Sequence, residues 1–468
     1  MLGTLLTLAV VTSTTLTIIL LLLPTQHVRQ SPRISGGGSR DDASKKEPNI
    51  SVQVLVLGDI GRSPRMQYHA MSIAKHGGRV EVIGYQESAL HPGLVNNPSV
   101  SVVPLTPPPP ILRKLQSRRV PFIIVGPLKV LWQIYTLFQI LGYRTKPARW
   151  MLVQNPPSIP TLLIAMIVCF LRNTHLLIDW HNYGWSILAG TRGPSHPFVR
   201  ISKIYECILG RWAPTASFAV THAMSRQLRN PPYSIRSPVV TLHDRPAEIF
   251  QPISSQSARR DFLARLPETS NHAEDVMNGK TRLIVSSTSW TPDEDFGLFL
   301  KALVSYAKAP SKDKSILAII TGKGPLKDQY VKRIRYLELC NDLKGIKILT
   351  AWLSTEDYAT LLACADLGVS LHMSSSGVDL PMKVVDMFGA GLPVLGYGKY
   401  ESWPELVREG ENGMGFETAE ELSDILLRLF GKDGARLDVL REGAVKEGTR
   451  RWDEQWDNVA GRVLGFVD

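Results

Sequence analysis

Short apolar runs that stop abruptly at glycine and polar residues recur along this chain, and they constrain its fold more than any other feature. Ser51-Val52-Gln53-Val54-Leu55-Val56-Leu57 reads as a buried parallel strand and ends at the turn Gly58-Asp59-Ile60-Gly61. Helical periodicity from Met66 to His76 and a second strand, Val80 to Tyr85, complete a βαβ unit. The runs Trp150 to Gln154, His175 to Asp179, Ser217 to Val220 and Val239 to Leu242 each close on polar residues, the second of them on Trp180-His181-Asn182. Between Pro252 and Lys280 the composition turns polar, and a second series then begins at Arg282 to Ser287. Its further strands are Ser315 to Ile320, Ile346 to Leu349, Leu367 to Leu371 and Leu392 to Tyr397. Open α/β sheets bind ligands at the C-terminal ends of their strands, where these polar clusters fall. At 468 residues the chain exceeds one ordinary core. The pattern predicts an α/β protein of two Rossmann-like lobes with a cleft between them, the first over residues 51–250 and the second over 251–468.

The net charge of +11 requires a source. No long Lys/Arg block and no zinc-finger spacing is present, so nucleic acid is not the expected partner. Solvated surface Lys and Arg, a face meeting anionic lipid headgroups, or a diphosphate site each account for the excess. The four cysteines, Cys169, Cys207, Cys340 and Cys364, are far apart and lie in apolar runs, which predicts reduced thiols on the cytosolic side of a membrane.

Residues 1–23 contain no charged side chain and end in Ile18-Ile19-Leu20-Leu21-Leu22-Leu23, a length that suits one membrane-spanning helix. No basic start or small-x-small cleavage site marks a secretory signal. Arg29, Arg33, Arg40, Lys45 and Lys46 follow, so the positive-inside rule puts the lobes in the cytosol. Residues 24–50 read as a flexible tether rich in Gly and Ser. The sequon Asn49-Ile50-Ser51 would stay unmodified on that side. Phe122 to Leu141 is almost wholly apolar but broken by Gly126, Pro127 and Lys129. It reads either as an interfacial helix against the bilayer or as a helix buried on the sheet.

Two segments carry phosphate chemistry. Thr321-Gly322-Lys323-Gly324-Pro325 follows a strand; its glycines would let the backbone approach a ligand, and Lys323 offers a point charge. In Ser374 to Val394, Pro381 suits the first turn of a helix. The free N–H groups near Met382 and Lys383 would then cradle a diphosphate, and Asp386 would face a ribose diol.

The segment from Asp379 through Asp386 to Gly391-Leu392-Pro393-Val394 resembles the nucleotide-sugar motif of GT-B glycosyltransferases. Gly58 to His69, Ile178-Asp179-Trp180-His181-Asn182-Tyr183-Gly184 and Ser286 to Phe296 add a closer resemblance, to the chitobiosyldiphosphodolichol β-mannosyltransferases of the endoplasmic reticulum. It spans nearly the whole chain after residue 50. The resemblance implies a GT-B fold, a single-pass location in the endoplasmic reticulum membrane, and an inverting transfer of mannose from GDP-mannose to GlcNAc2-diphosphodolichol, forming a β1,4 linkage. The first lobe would take the acceptor and meet the membrane, and the second would bind the nucleotide sugar. Other glycosyltransferases of the same pathway are candidate partners besides the bilayer.

Inversion needs a general base and stabilisation of the departing GDP. His181, just past a strand end, is the candidate base and Asp59 the runner-up; a structural histidine and a turn-forming aspartate are the plainer roles. Gly58, Gly61, Arg62, Ser287, Lys323, Gly324, Asp379, Lys383 and Asp386 are the expected donor contacts. Arg65 is a further source of positive charge for the diphosphate. The broader GT-B pattern carries acids eight positions apart, whereas Val378 stands eight before Asp386, with Asp379 one step off. Asp293-Glu294-Asp295 is spelled like a metal-binding triplet, but acids at a helix start explain it more simply. No metal ligand is assigned, and the pattern does not specify whether a divalent ion takes part. A UDP-GlcNAc donor and a catalytically silent partner subunit are the competing readings.

Overall fold

The computed structural model describes residues 2–24, 50–117, 122–431 and 435–468. Most of the expected tether, including Asn49 of the sequon, lies outside the described residues. Leu2–Leu22 is one helix, α1, exposed along its length, and its Gly3–Leu22 stretch is long and apolar enough to cross a membrane.

Strands β1 (Ser51–Asp59), β2 (Arg79–Tyr85), β3 (Val100–Pro104), β4 (Trp150–Asn155), β5 (His175–Trp180), β6 (Ala216–Ala219) and β7 (Val239–Thr241) form the first sheet, in the order β3-β2-β1-β4-β5-β6-β7. Strands β8 (Thr281–Ser287), β9 (Ser315–Thr321), β10 (Ile346–Ala351), β11 (Leu367–Ser370), β12 (Val394–Tyr397) and β13 (Gly413–Phe416) form the second, in the order β10-β9-β8-β11-β12-β13. Every pairing is parallel. In both sheets the strand order reverses at the first strand, which opens a ligand crevice at the C-terminal ends of the strands.

Alternation along β1 sends Val52, Val54 and Val56 to one face and Leu55 and Leu57 to the other, so the first sheet needs helices on both sides. The helices of the crossover connections supply them. Helix α2 (Pro64–Lys75) covers one face. Helices α3 (Phe122–Gln139), α4 (Thr161–Arg172), α5 (Pro197–Trp212) and α6 (His222–Arg229) cover the other. The apolar stretch near residue 130 divides its side chains between the core and the exterior. Leu137 of α3 and Ile140 and Leu141 just beyond it are buried in the core, while Leu128, Leu131 and Tyr135 face outward.

The lobes meet directly. Glu405 accepts the backbone N–H groups of His222 at 2.6 Å and Ala223 at 2.7 Å, so a second-lobe carboxylate caps α6 of the first lobe. His243 Nε2 bonds the same carboxylate at 3.0 Å. Thr221 Oγ1 donates to Val378 O at 2.6 Å, and the Val378 side chain is buried in the first lobe's core.

The chain's end departs from the expected division. Helix α8, named here after the second-lobe helix α7 (Met382–Gly389), spans Trp452–Trp456 and packs on α2 of the first lobe, although residues 251–468 were expected to stay together. Trp456 is fully buried there, and its Nε1 donates to His69 Nδ1 at 3.0 Å. Trp452 Nε1 donates to Ser72 Oγ at 2.9 Å. An indole supplies both apolar area and one donor, which is what a face carrying His69 and Ser72 requires. Replacing Trp456 by Ala removes a core side chain and strands a buried acceptor. The variant should lose about 3–5 kcal/mol of stability in chemical denaturation, and Trp456→Phe, which refills the volume, should recover much of that loss.

Candidate active site

At the C-terminal end of the first sheet, a buried guanidinium organises the ends of two strands. Arg65, in the first turn of α2, donates from Nε to Asp179 Oδ2 at 2.8 Å and from Nη2 to Asp179 Oδ1 at 2.9 Å. Its Nη1 donates to Asp244 Oδ1 at 2.8 Å, just past β7. All three side chains are buried. Burial alone would push the Asp179 carboxyl up, but Arg65 and His181 outweigh it and hold the carboxyl well below its ordinary range. Arg65 therefore cannot also serve a diphosphate, as its charge alone had made possible.

His181 hangs from the end of β5 with its Nε2 donating to Asp179 Oδ2 at 2.8 Å, and its side chain is 23 % exposed. The imidazole is thus oriented by a fixed carboxylate and keeps Nδ1 free to accept a proton, the arrangement that general-base catalysis requires. His69 lies against the same carboxylate at 3.4 Å but is fully buried and stacked on Phe218. Burial holds its pKa down, so it stays neutral.

Asp59 is turned the other way along the sheet. Its Oδ1 accepts the N–H groups of Gly61 at 3.2 Å, and of Glu87 and Ser88 at 3.1 Å each, pinning the turn after β1 to the loop after β2. A Cβ on Gly61 would sit 2.6 Å from Ala89 O, which accounts for that glycine by packing. Arg62 is largely exposed and lies 3.5 Å from Asp59. Gly58 is next to last in β1, and a Cβ there would make only an ordinary contact with Val56, at 3.7 Å.

In the second lobe, Asp379 and Lys383 are both engaged in holding loops. Asp379 accepts from His372 Nε2 at 2.9 Å, from Ser376 Oγ at 3.3 Å and from Ser374 Oγ. Lys383 pairs with the buried Glu294, which also accepts from Thr288 Oγ1 at 2.7 Å and from the Ser289 N–H. In sequence Glu294 is indistinguishable from the helix-start acids beside it. Asp295 does cap the next helix through Gly297 N at 2.9 Å, but Glu294 turns inward. Ser287 is buried, bonded to Tyr358 Oη at 2.8 Å and to Thr321 Oγ1 at 3.2 Å.

The glycine loop after β9 works differently from the expectation. A Cβ on Gly322 would lie 1.8 Å from Thr288 O, and one on Gly324 would lie 1.7 Å from Ser289 O. These glycines allow two loops of the protein to touch, and that packing suffices to explain them. Lys323 remains exposed with its Nζ 3.8 Å from the centre of the Trp352 ring.

Asp386, on α7, joins the two halves of the site. It is half-buried, and its pKa is pushed up to about 8, by burial and then by the nearby Asp244 of the first lobe. Tyr68 of α2 is pushed up to about 12, by burial and then by Asp386 and Asp244. The cleft thus runs from His181 through Arg65 and Asp244 to Asp386. Asp244 and His69 carried no signal in the sequence beyond their places near a strand end and on an apolar-periodic helix.

Known proteins fit this architecture. Residues 279–432 match the family model described as glycosyl transferases group 1. The structure is similar to Anabaena Alr3699/HepE in complex with UDP and glucose, with a TM-score of 0.61 and 16% identity over 89% of this chain and 99% of that one. It is likewise similar to sucrose-phosphate synthase from Thermosynechococcus elongatus, with a TM-score of 0.62 and 12% identity over 89% and 98%. At such identities the likeness establishes the fold, which is GT-B. Relatives in sequence are closer. A chitobiosyldiphosphodolichol beta-mannosyltransferase of Arthroderma benhamiae is 47% identical over 450 residues, 95% of each chain. Proteins of that name from Mus musculus and Homo sapiens are 40% and 39% identical, covering 88% and 86% of this chain and 88% and 90% of theirs. With two GT-B lobes and identity over nearly its full length, this glycosyltransferase belongs to the chitobiosyldiphosphodolichol beta-mannosyltransferase family.

Proposed function

We propose that the chain moves mannose from GDP-mannose to GlcNAc2-diphosphodolichol with inversion, forming a β1,4 linkage, at the endoplasmic reticulum membrane with both lobes on the cytosolic side. The observation that carries the chemistry is the His181–Asp179 pair at the cleft end of the first sheet. The donor and linkage agree with the relatives' name, the bilayer with α1, and the orientation with the basic residues that follow it.

In this reading His181 Nδ1 takes the proton from the 4-hydroxyl of the terminal GlcNAc as that oxygen attacks C1 of mannose. The C1–phosphate bond breaks on the opposite face, and GDP leaves with the bonding pair. Arg65 with Asp179 and Asp244 forms a group of net charge −1, placed to balance the imidazolium as it appears. The departing diphosphate lies at the start of α7, where the helix end, Lys383 and the exposed Lys323 offer positive charge. Lys383 must exchange Glu294 for phosphate. Asp386 takes the ribose diol, Gly58, Gly61 and Arg62 shape the first-lobe wall of the donor site, and Ser287 and Gly324 back its second-lobe wall. Asp379 acts on the donor by holding the loop from His372 to Asp379. Residues 51–250 act as the acceptor lobe and those from 251 as the nucleotide-sugar lobe, closed by the returning α8.

Labelled GDP-mannose and a short-chain GlcNAc2-diphosphate lipid should give a product sensitive to β-mannosidase; transfer from UDP-GlcNAc instead would overturn the donor. His181→Ala should lower turnover by about 10²–10⁴-fold while GDP binding is kept, and unchanged turnover would remove His181 as the base.

Asp386 gives a pH signature of opposite kind. A ribose diol offers two O–H donors, which an ionised carboxylate accepts best. Nucleoside binding should therefore release the proton that Asp386 holds below about pH 8. Guanosine, which has no phosphate to titrate, should bind more tightly as pH rises from the mildly acidic range and level off above about pH 8. Asp386→Asn should flatten that profile in calorimetry; an unchanged slope in the variant would show that another group is responsible.

A further inference from the structure

Helices α3, α4 and α5 lie side by side on one face of the first sheet, α3 against α4 and α4 against α5. Each buries one side in the core and leaves an apolar stripe outside. On α5, Val199, Cys207 and Leu209 face the core, whereas Ile201, Ile204, Ile208 and Trp212 are between 50 % and 57 % exposed. Their spacing of three, four and four residues keeps them on one line. On α4, Phe170 is 86 % exposed, with Ile167 one turn before it. Leu128, Leu131 and Tyr135 repeat the spacing on α3.

Charge on this region has one sign. Residues 105–215 contain thirteen Lys and Arg, of which Arg172 is buried, but only two acids, Asp179 and Glu206, both fully buried. That surplus is as large as the net charge of the whole chain, +11. Cations also accompany an exposed indole, Trp212, and a half-buried one, Trp185. Arg236 stands 3.6 Å from the centre of the Trp212 ring, and Lys203 4.5 Å from that of Trp185. Tryptophan with Lys or Arg is the pairing that favours the headgroup zone of a membrane.

The place where α1 ends bears on what covers this face. The end of α1 touches the lobe just beyond α3, where Tyr143 Oη donates to Leu22 O at 2.6 Å. A Cβ on the adjacent Gly142 would lie 3.1 Å from the Pro24 ring. The apolar helix that would enter the bilayer therefore ends at the border of the striped face.

We propose that the outer face of α3, α4 and α5 lies on a bilayer carrying anionic lipid, as a second attachment beside α1. The inference rests on the membrane-anchored reading given above. Apolar side chains enter the headgroup boundary and the surrounding Lys and Arg meet lipid phosphates, an interaction that is sensitive to salt.

An environment-sensitive fluorophore tests this on the full chain in vesicles. Cys340→Ser removes the exposed native thiol, and the other three cysteines are buried. Single labels are then placed through Ile204→Cys, Phe170→Cys and, on the second lobe as reference, Leu339→Cys, which is 88 % exposed in the parent. In phosphatidylcholine vesicles with phosphatidylserine, labels at 204 and 170 should be blue-shifted. A lipid-borne quencher should quench them several-fold more than the label at 339, and added salt or omission of phosphatidylserine should weaken the difference. A chain that floats with vesicles while all three labels stay equally open to an aqueous quencher overturns the docking face and leaves the anchor standing. Labels at 204 and 170 shielded from both quenchers would mean that protein covers the face, which also overturns the lipid assignment. A chain that does not float overturns the anchored reading itself.

Discussion

Arg65 is the group on which the cleft end of the first lobe depends. A guanidinium taken fully out of water is costly unless its donors are satisfied, and here three of them meet two carboxylates at 2.8–2.9 Å. The cost in turn dictates geometry. Asp179 on β5 and Asp244 past β7 must both point inward toward α2, so one helix fixes two loop starts across the sheet. Asp179, with Arg65 on both of its oxygens, still offers Oδ2 to His181 and lies near His69. The Trp456 bond to His69 then ties the chain's end to the same knot. Position of the imidazole is therefore a consequence of buried charge pairing.

The second lobe reaches the same rigidity through loops. Glu294 gathers Thr288, Ser289 and Lys383, and Asp379 gathers His372, Ser374 and Ser376. Gly322 and Gly324 let the loop after β9 lie on the Thr288–Ser289 backbone. Burial would raise the Asp379 carboxyl, but His372 and Ser374 hold it below its ordinary range, so it stays charged while serving a structural purpose. The cation closest to the start of α7 is already paired, through Lys383 and Glu294. In the proposed reading an incoming diphosphate would trade one charge-assisted contact for another, which favours discrimination over raw affinity.

Much of this was legible in the sequence because strands and their polar ends are local. The apolar runs, the turn after β1 and the helix after Pro381 fall where hydrophobic period and proline preference put them. His181 was legible for the same reason, one residue past a strand. What could not be read locally is pairing across long separations. Arg65 meets Asp179 and Asp244, more than a hundred residues away, and a cation near a glycine turn looks the same in sequence whether it serves a phosphate or a carboxylate. The glycines after β9 show the converse problem, since close approach to backbone and close approach to ligand demand the same residue. Trp452 and Trp456 sit in a short helix whose partners lie near residue 70, and no periodicity announces that return.

The position of α1 bears on how the cleft meets a lipid-borne substrate. Its contact with Tyr143 lies before the first residue of β4, at the end of the sheet opposite the one where His181 stands. A strand of six residues spans about 20 Å, so α1, as the proposed anchor, would attach the lobe about that far from the proposed base. A body held at one such point can tilt, and tilting dilutes the cleft relative to headgroups confined to the membrane plane. The helices flanking the sheet run its full depth, from the anchor contact to the strand ends. A lobe lying on them keeps one end of the cleft beside the headgroups for as long as the contact lasts. Effective concentration then depends on surface contact along the lobe, and the basic, acid-free exterior of residues 105–215 is the feature that sets its strength.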